Sequence, residues 1–259
     1  LSTAKTTPAL PTLTFLYHEL RKQKSKYSYV LDCKEFEEQV ALFAECRQAA
    51  PRFLQPEISF DDGHRSDYEY ALPVLVARGM VAHFFITVGW TGRKSSYMGW
   101  REVRALHAVG QRVGAHGWTH TLLTRCSAPE LEKELGGARQ TLEDKLGCSI
   151  TSMSLPGGRY NRRVLAACQA AGYRQVFTSI PRAEAAPPGL LIGRLNILSG
   201  MSLPALRQLL LPESTALAKL HRRYHLKEAA KLLLGDRLYA RLWTLVSGQE
   251  PDAGLITVP

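Results

Sequence analysis

Glu57-Ile58-Ser59-Phe60-Asp61-Asp62-Gly63-His64 is the stretch that decides the fold. A short apolar run ends in two adjacent carboxylates and a glycine. Asp and Gly both suit turns, so the segment reads as a strand that stops abruptly at its carboxyl end. Downstream, a second β-like run, Gln111-Arg112-Val113-Gly114-Ala115, leads into His116-Gly117-Trp118-Thr119-His120. If the two runs are neighbouring parallel strands, the carboxylates and imidazoles emerge at one face, where α/β folds place their sites. An Asp/His/His set leaves an open position on a divalent metal for water or a substrate oxygen. The remaining carboxylate is then available as general base. Taken singly the motifs are plainer: Asp-Asp-Gly is a common turn, and H-x-x-x-H is two histidines on one helical turn. Their joint occurrence points to chemistry.

The surrounding chain alternates. Leu13-Thr14-Phe15-Leu16-Tyr17 reads as a strand ending at His18, and residues 32–47 as a helix with Phe36, Val40, Phe43 and Ala44 on one face. Residues 67–79 read as a helix closed by Gly79, with Pro73 marking a kink or reset inside it. Residues 81–88 form a strand apolar enough to be buried on both faces, which makes His83 structural. Helices over 99–108 and 128–146, a strand over 149–155, a helix over 161–171 and a strand over 175–179 follow. This alternation predicts a parallel α/β fold. Residues 195–198 read as a last strand. Residues 1–11 are a Ser/Thr/Pro-rich arm, and 21–29 a basic loop. Residues 203–246 are helical, with Leu226, Ala230, Leu233 and Leu234 as an apolar stripe among many cations. Such a helix either packs on the domain with a solvated face or rests on an anionic membrane or a partner protein.

Composition narrows the classes. The 259 residues suit one generous domain, and a net charge of +10 suits an anionic surface or polysaccharide as well as plain solubility. No basic patch interleaved with aromatics and no zinc-finger spacing occurs, so nucleic acid is not an expected partner. Cysteines 33, 46, 126, 148 and 168 are odd in number and contain no C-x-x-C, which argues against a disulfide framework and for a reducing compartment. Cys46, Cys148 and Cys168 read as packing residues. No apolar run is long enough to cross a membrane. The chain begins at Leu1 without methionine, which is compatible with a removed leader. The expected location is cytoplasmic, peripheral to a membrane.

Ser59-Phe60-Asp61-Asp62-Gly63, then the His116/His120 pair, then Leu155-Pro156-Gly157-Gly158, resembles the polysaccharide deacetylase family, carbohydrate esterases with a NodB-homology domain. The resemblance covers residues 12–200 and includes the opening strand to His18 and the Ala82-His83-Phe84-Phe85-Ile86 strand. It implies a distorted (β/α)7-type barrel, here with a basic helical C-terminal extension over 201–259. It also implies metal-dependent removal of N-acetyl groups from sugars. Asp62, His116 and His120 match the family's metal ligands, Asp61 its catalytic base, and Gly157 the position whose N–H helps hold the oxyanion. Zinc is the usual ion, and cobalt or another divalent ion suits the same donors.

Three departures stand out. The family's base-orienting arginine is replaced by Ser154, and the aromatic of that motif by Gly157. Arg159 either supplies the missing cation or only opens the Tyr160-Asn161-Arg162 turn. The segment 176–180 lacks the family's aspartate, and 193–198 lacks the histidine that protonates the leaving amine. A leaving amine needs a proton, so His18 is the candidate donor and His64 a second. Trp90, Tyr97, Trp100 and Trp118 are candidate sugar-stacking residues, with Trp118 expected to face the site. The sequence therefore points to an N-deacetylase acting on an N-acetylhexosamine polysaccharide or lipid-linked glycan, in contact with an anionic membrane surface or a biosynthetic complex. The alternatives are a glycan-binding pseudoenzyme that keeps its metal, and an O-deacetylase.

Overall fold

The apolar runs become parallel strands. In a computed structural model, which describes residues 10–186 and 188–234, the chain opens with β1 (Thr12–Tyr17), β2 (Glu19–Arg21), β3 (Val30–Asp32), α1 (Cys33–Gln48) and β4 (Gln55–Phe60). It continues through α2 (Leu72–Ala77), β5 (Ala82–Ile86), α3 (Trp100–Ala108), β6 (Arg112–Ala115), α4 (Ala128–Glu132), α5 (Ala138–Leu146) and β7 (Ser152–Ser154). It ends in α6 (Arg162–Ala170), β8 (Gln175–Phe177), β9 (Leu191–Ile192), β10 (Arg194–Asn196), α7 (Leu203–Leu209) and α8 (Thr215–Leu234). The short pair β2–β3 borders the predicted basic loop.

One eight-stranded parallel sheet runs β10-β1-β4-β5-β6-β7-β8-β9. Its two edges, β9 and β10, are halves of one chain segment interrupted at Gly193. That segment pairs with β8 on one side and β1 on the other, so the sheet curls into a nearly closed barrel. The sheet thus has eight strands, two of which come from one interrupted segment. A Cβ on Gly193 would lie 2.4 Å from Arg182 Cγ and 2.6 Å from the Ile180 carbonyl, so the bend passes too close to its neighbours for a side chain. Aromatic packing fills the layer between sheet and helices: Phe15 stacks on Phe43 with ring centroids 4.3 Å apart, and Phe60 on Phe84 at 4.9 Å. Cys46 and Cys168 are buried in the same core, Cys148 packs at its edge, and all five thiols are free.

The helices predicted over 67–79 and 128–146 each contain a widened π turn. One, Asp67–Ala71, precedes α2, and the other, Lys133–Gly137, separates α4 from α5. Pro73 has no N–H and its ring crowds the carbonyl four residues back in a regular helix; the wider turn before it relieves both problems. At the C-terminal end, residues 235–246 of the predicted helical stretch lie outside the described residues, as do residues 1–9 of the predicted arm. Leu226, expected within an apolar stripe, is 71% exposed. The face of α8 turned inward carries Leu220, Arg223, Tyr224 and Lys227 instead. No helix among the described residues is long and apolar enough to cross a membrane.

Candidate active site

The two carboxylates and two imidazoles meet because β4 and β6 flank β5 in a parallel sheet. Hydrogen bonding continues one residue past the strand ends. The Asp61 N–H donates to the Tyr17 carbonyl at 3.1 Å, and the His116 N–H donates to that of Ile86 at 2.8 Å. Asp62 and His120 then take left-handed φ of 71° and 64°, and they are the non-glycine residues with positive φ among those described. Asp and His tolerate this conformation better than most residues, yet it costs about 1–3 kcal/mol at each position and tends to occur where function demands it.

These bends aim Asp62 Oδ1 at His116 Nε2, 3.3 Å away, and at His120 Nε2, 3.2 Å away. One ligand atom from each of the three residues lies within 4.8 Å of the others. His116 Nδ1 sits 2.8 Å from the Ser154 carbonyl, so the ring proton belongs there and Nε2 is left bare in the neutral imidazole. A bare nitrogen facing a carboxylate oxygen needs a cation or a proton between them. The donor set, an oxygen and two imidazole nitrogens, fits a divalent metal. The charges respond accordingly. Burial would raise Asp62, but the two imidazoles outweigh it and hold the carboxyl well below its usual range. Burial would lower His116, but Asp61 and Asp62 outweigh it and raise the imidazole.

Asp61 is buried beside this cluster, and the guanidinium that holds it comes from an unexpected strand. Arg194, at the start of β10 and fully buried, donates from Nη1 to Asp61 Oδ1 at 2.7 Å and from Nη2 to Oδ2 at 2.9 Å. Ser154 Oγ donates to Asp61 Oδ2 at 2.9 Å and accepts from Arg194 Nη2 at 2.7 Å. Arg194 Nε donates to the Thr178 carbonyl at 2.9 Å. The guanidinium carbon lies 5.4 Å from the Phe85 ring centroid and 5.7 Å from that of Phe177, so both charge and plane are used. Burial would raise Asp61, but Arg194 and His116 outweigh it and keep the carboxyl below its ordinary value. The cation missing at Ser154 is thus present, supplied by Arg194 rather than by Arg159, which lines the outer cleft. The sequence did carry a signal: a charged residue between a glycine and apolar residues in a barrel strand must be paired inside.

A cleft of about 550 Å³ opens over these groups. His18, Asp61, Asp62, His116, His120 and Gly157 line its inner part, and α8 forms part of its outer wall. Gly157 has φ 64° and ψ 10°. His18 follows β1, which pairs with β10 in a register that sets Leu16 beside Asn196. An imidazole therefore reaches the site from the strand beside the one lacking a histidine. His18 Nδ1 is buried and has no hydrogen-bond partner among the described residues. Burial lowers its proton affinity and Arg194 and His116 add to this, while Asp62 and Asp61 oppose. His64 also lines the cleft, with Nδ1 2.8 Å from Ser66 Oγ. His83 lies within β5, buried as expected, and burial drives it down to about 3.

The aromatic expectations divide. Tyr97 lines the cleft, as does Tyr29, and Trp90 packs 5.2 Å from the His120 ring. Trp118 does not face the cleft. Its indole packs over Gly137 and against Gly89, with Lys133 Nζ 5.7 Å from the ring, because the left-handed Gly117 turns the loop outward there. Trp100 belongs to the core margin.

Asp67, on the first π turn, is a buried carboxyl whose Oδ2 has no partner among the described residues. Burial, reinforced by the charge of Asp62, raises it well above the usual carboxylate range. The folded state therefore binds this proton more tightly than the unfolded state, and the residue costs stability as pH rises above the unfolded value of about 3.9. Asp67→Asn is expected to stabilise the metal-free protein at neutral pH by at least about 1 kcal/mol, with little gain below about pH 4. Urea unfolding at the two pH values measures this, and equal effects at both would contradict it.

Comparison with known proteins follows the same residues. The family profile described as "Polysaccharide deacetylase" matches residues 56–176, from β4 into β8. A Bacillus subtilis protein named "Putative polysaccharide deacetylase YxkH" is 27% identical over 146 residues, 56% of this chain and 52% of the relative. The chain spans about half the length of the curated relatives it matches. Among solved structures, Streptococcus pyogenes deacetylase PplD, in complex with acetate, superposes with a TM-score of 0.70 at 20% identity, over 80% of this chain and 100% of that one. IcaB from Ammonifex degensii superposes at 0.63 and 22% identity, over 77% and 97% of the two chains. With its barrel, its Asp-Asp and His-x-x-x-His motifs and this profile match in agreement, the chain belongs to the polysaccharide deacetylase family.

Proposed function

We propose that this protein is a metal-dependent deacetylase that hydrolyses the N-acetyl group of a hexosamine-containing glycan. The observation that carries the proposal is Asp61: a buried carboxylate, kept ionised by a bidentate arginine, directly beside an Asp/His/His cluster. A divalent ion held by Asp62, His116 and His120 would supply Lewis acidity toward water and the acyl oxygen.

The chain's own groups do the rest. Asp61 takes a proton from the attacking water, and Arg194 fixes which way its oxygens face. The Gly157 N–H, in the cleft lining, would stabilise negative charge that develops on the acyl oxygen. His18 protonates the departing nitrogen; its lowered proton affinity makes the charged imidazole a readier donor. Tyr29 and Tyr97 offer flat apolar faces to a sugar ring in a cleft of small-ligand size. One observation favours an O-deacetylase instead, namely that 194–198 contains no histidine, since an alcohol leaves with less help than an amine.

The test is acetate release from N-acetylglucosamine oligomers by zinc-loaded protein, with and without chelator. Release that requires the metal supports deacetylation, and tight zinc binding without release of acetate from amide or ester overturns it in favour of a glycan-binding role. His18→Gln is expected to slow amide hydrolysis by about 10²–10⁴-fold while sparing an aryl acetate, whose leaving group needs no proton. Equal losses on both substrates would remove His18 from the acid role, and a wild type active on sugar esters alone would establish the O-deacetylase.

A further inference from the structure

The loop between the two candidate metal-binding histidines has to satisfy its own backbone. The carbonyls of Gly117 and Trp118 accept from the N–H groups of Val88 at 3.1 Å and Gly89 at 2.8 Å. The N–H groups of Trp118 and Thr119 turn to one residue. Trp118 N–H donates to Glu134 Oε2 at 2.7 Å, and Thr119 N–H donates to Oε2 at 3.0 Å and Oε1 at 3.2 Å. The Thr119 hydroxyl donates to Oε1 at 2.5 Å. One carboxylate thus collects three donors from the residues lying between His116 and His120.

Glu134 is 4% exposed, a costly place for a carboxylate unless its lone pairs are used. It sits on the π turn Lys133–Gly137, an irregularity that often accompanies functional positions. The approach is close: a Cβ on Gly117 would fall 2.8 Å from Glu134 Oε2, and Gly117 itself has φ 75°. The bonds of Glu134 therefore go to the loop that must hold a left-handed Gly117 and a left-handed His120 at once.

We propose that Glu134 is a positioning residue that sets the metal affinity of the site, holding His116 and His120 at their mutual spacing before the ion arrives. The proposal rests on the metal-dependent reading above. Without the carboxylate the Trp118 and Thr119 N–H groups turn to water, the loop samples other conformations, and ordering it becomes part of the cost of binding the ion. Changes to partners outside the ligand set typically weaken metal affinity about 10–100-fold.

Glu134→Gln isolates this role. The amide keeps the shape but turns one acceptor into a donor, and Thr119 N–H bridges both oxygens, so either amide orientation loses bonds. The experiment titrates Zn²⁺ against a chromophoric chelator with wild-type and variant protein, and follows urea unfolding of the metal-free forms. The expected result is a zinc Kd raised by about 10–100-fold in the folded variant, with a shifted visible spectrum in the cobalt-loaded form. A merely structural role lowers metal-free stability and leaves both Kd and spectrum unchanged, which overturns the proposal. Thr119→Val removes only the hydroxyl donor, leaves the helix intact, and is expected to raise Kd a few-fold; it decides the matter should Glu134→Gln not fold. Wild-type protein without saturable zinc binding overturns the metal-dependent reading along with this one. Normal wild-type binding with unchanged variants overturns this one alone.

Discussion

Replacing Arg194 with methionine is expected to destabilise the metal-free chain by about 3–5 kcal/mol and to slow acetate release by about 10²-fold or more. The stability loss follows from what stays behind. Asp61 would be buried without its bidentate partner, and the Thr178 carbonyl would lose its donor. The pH dependence is the sharper signature. In the parent, Asp61 lies below its ordinary value, so its pairing stabilises fully above the unfolded value of about 3.9 and is lost as pH falls through the folded one. In Arg194→Met the guanidinium is gone and burial raises the carboxyl, so this contribution changes sign and the variant gains stability as pH falls. Urea unfolding across the acid range measures this; a parallel shift with no change of slope would mean that Arg194 only packs. Ser154 Oγ touches both Arg194 and the same oxygen of Asp61. The exchange Ser154→Arg with Arg194→Ser is therefore expected to return the parental sign of the slope.

Asp61→Asn is expected to lower the rate by about 10²–10⁴-fold while leaving zinc affinity within a few-fold of wild type. The carboxamide cannot accept the water's proton, and it leaves Arg194 buried without a counter-charge, so stability also falls, by about 3–5 kcal/mol. Stopped acetate release with retained zinc binding separates this residue from Asp62, whose alanine variant is expected to lose the metal. Undiminished turnover in Asp61→Asn would take the base role from it.

Much of the fold was legible because parallel strands carry buried runs: β5 is buried throughout, and β4 and β6 end in the short buried runs Ile58-Ser59-Phe60 and Val113-Gly114-Ala115. The metal cluster was legible because its members lie directly after two of those runs. What escaped the sequence was of two sorts. The π turns at Asp67–Ala71 and Lys133–Gly137 leave no change of composition, since a helix with one extra residue per turn keeps the same residue types. The Arg194–Asp61 pair joins the last strand to an early one, and no local pattern reports a contact between residues so distant in sequence. Trp118 illustrates the converse error. Lying between two site residues in sequence, it points away from the site, because left-handed Gly117 reverses the loop between them.

Segment 191–196 both closes the barrel and delivers Arg194 to Asp61. The residues that would hold the ion all precede it in the chain. During synthesis, therefore, a nascent chain carries all three candidate metal ligands before Asp61 can be oriented. Closure of the barrel and orientation of Asp61 arrive together, as one late event.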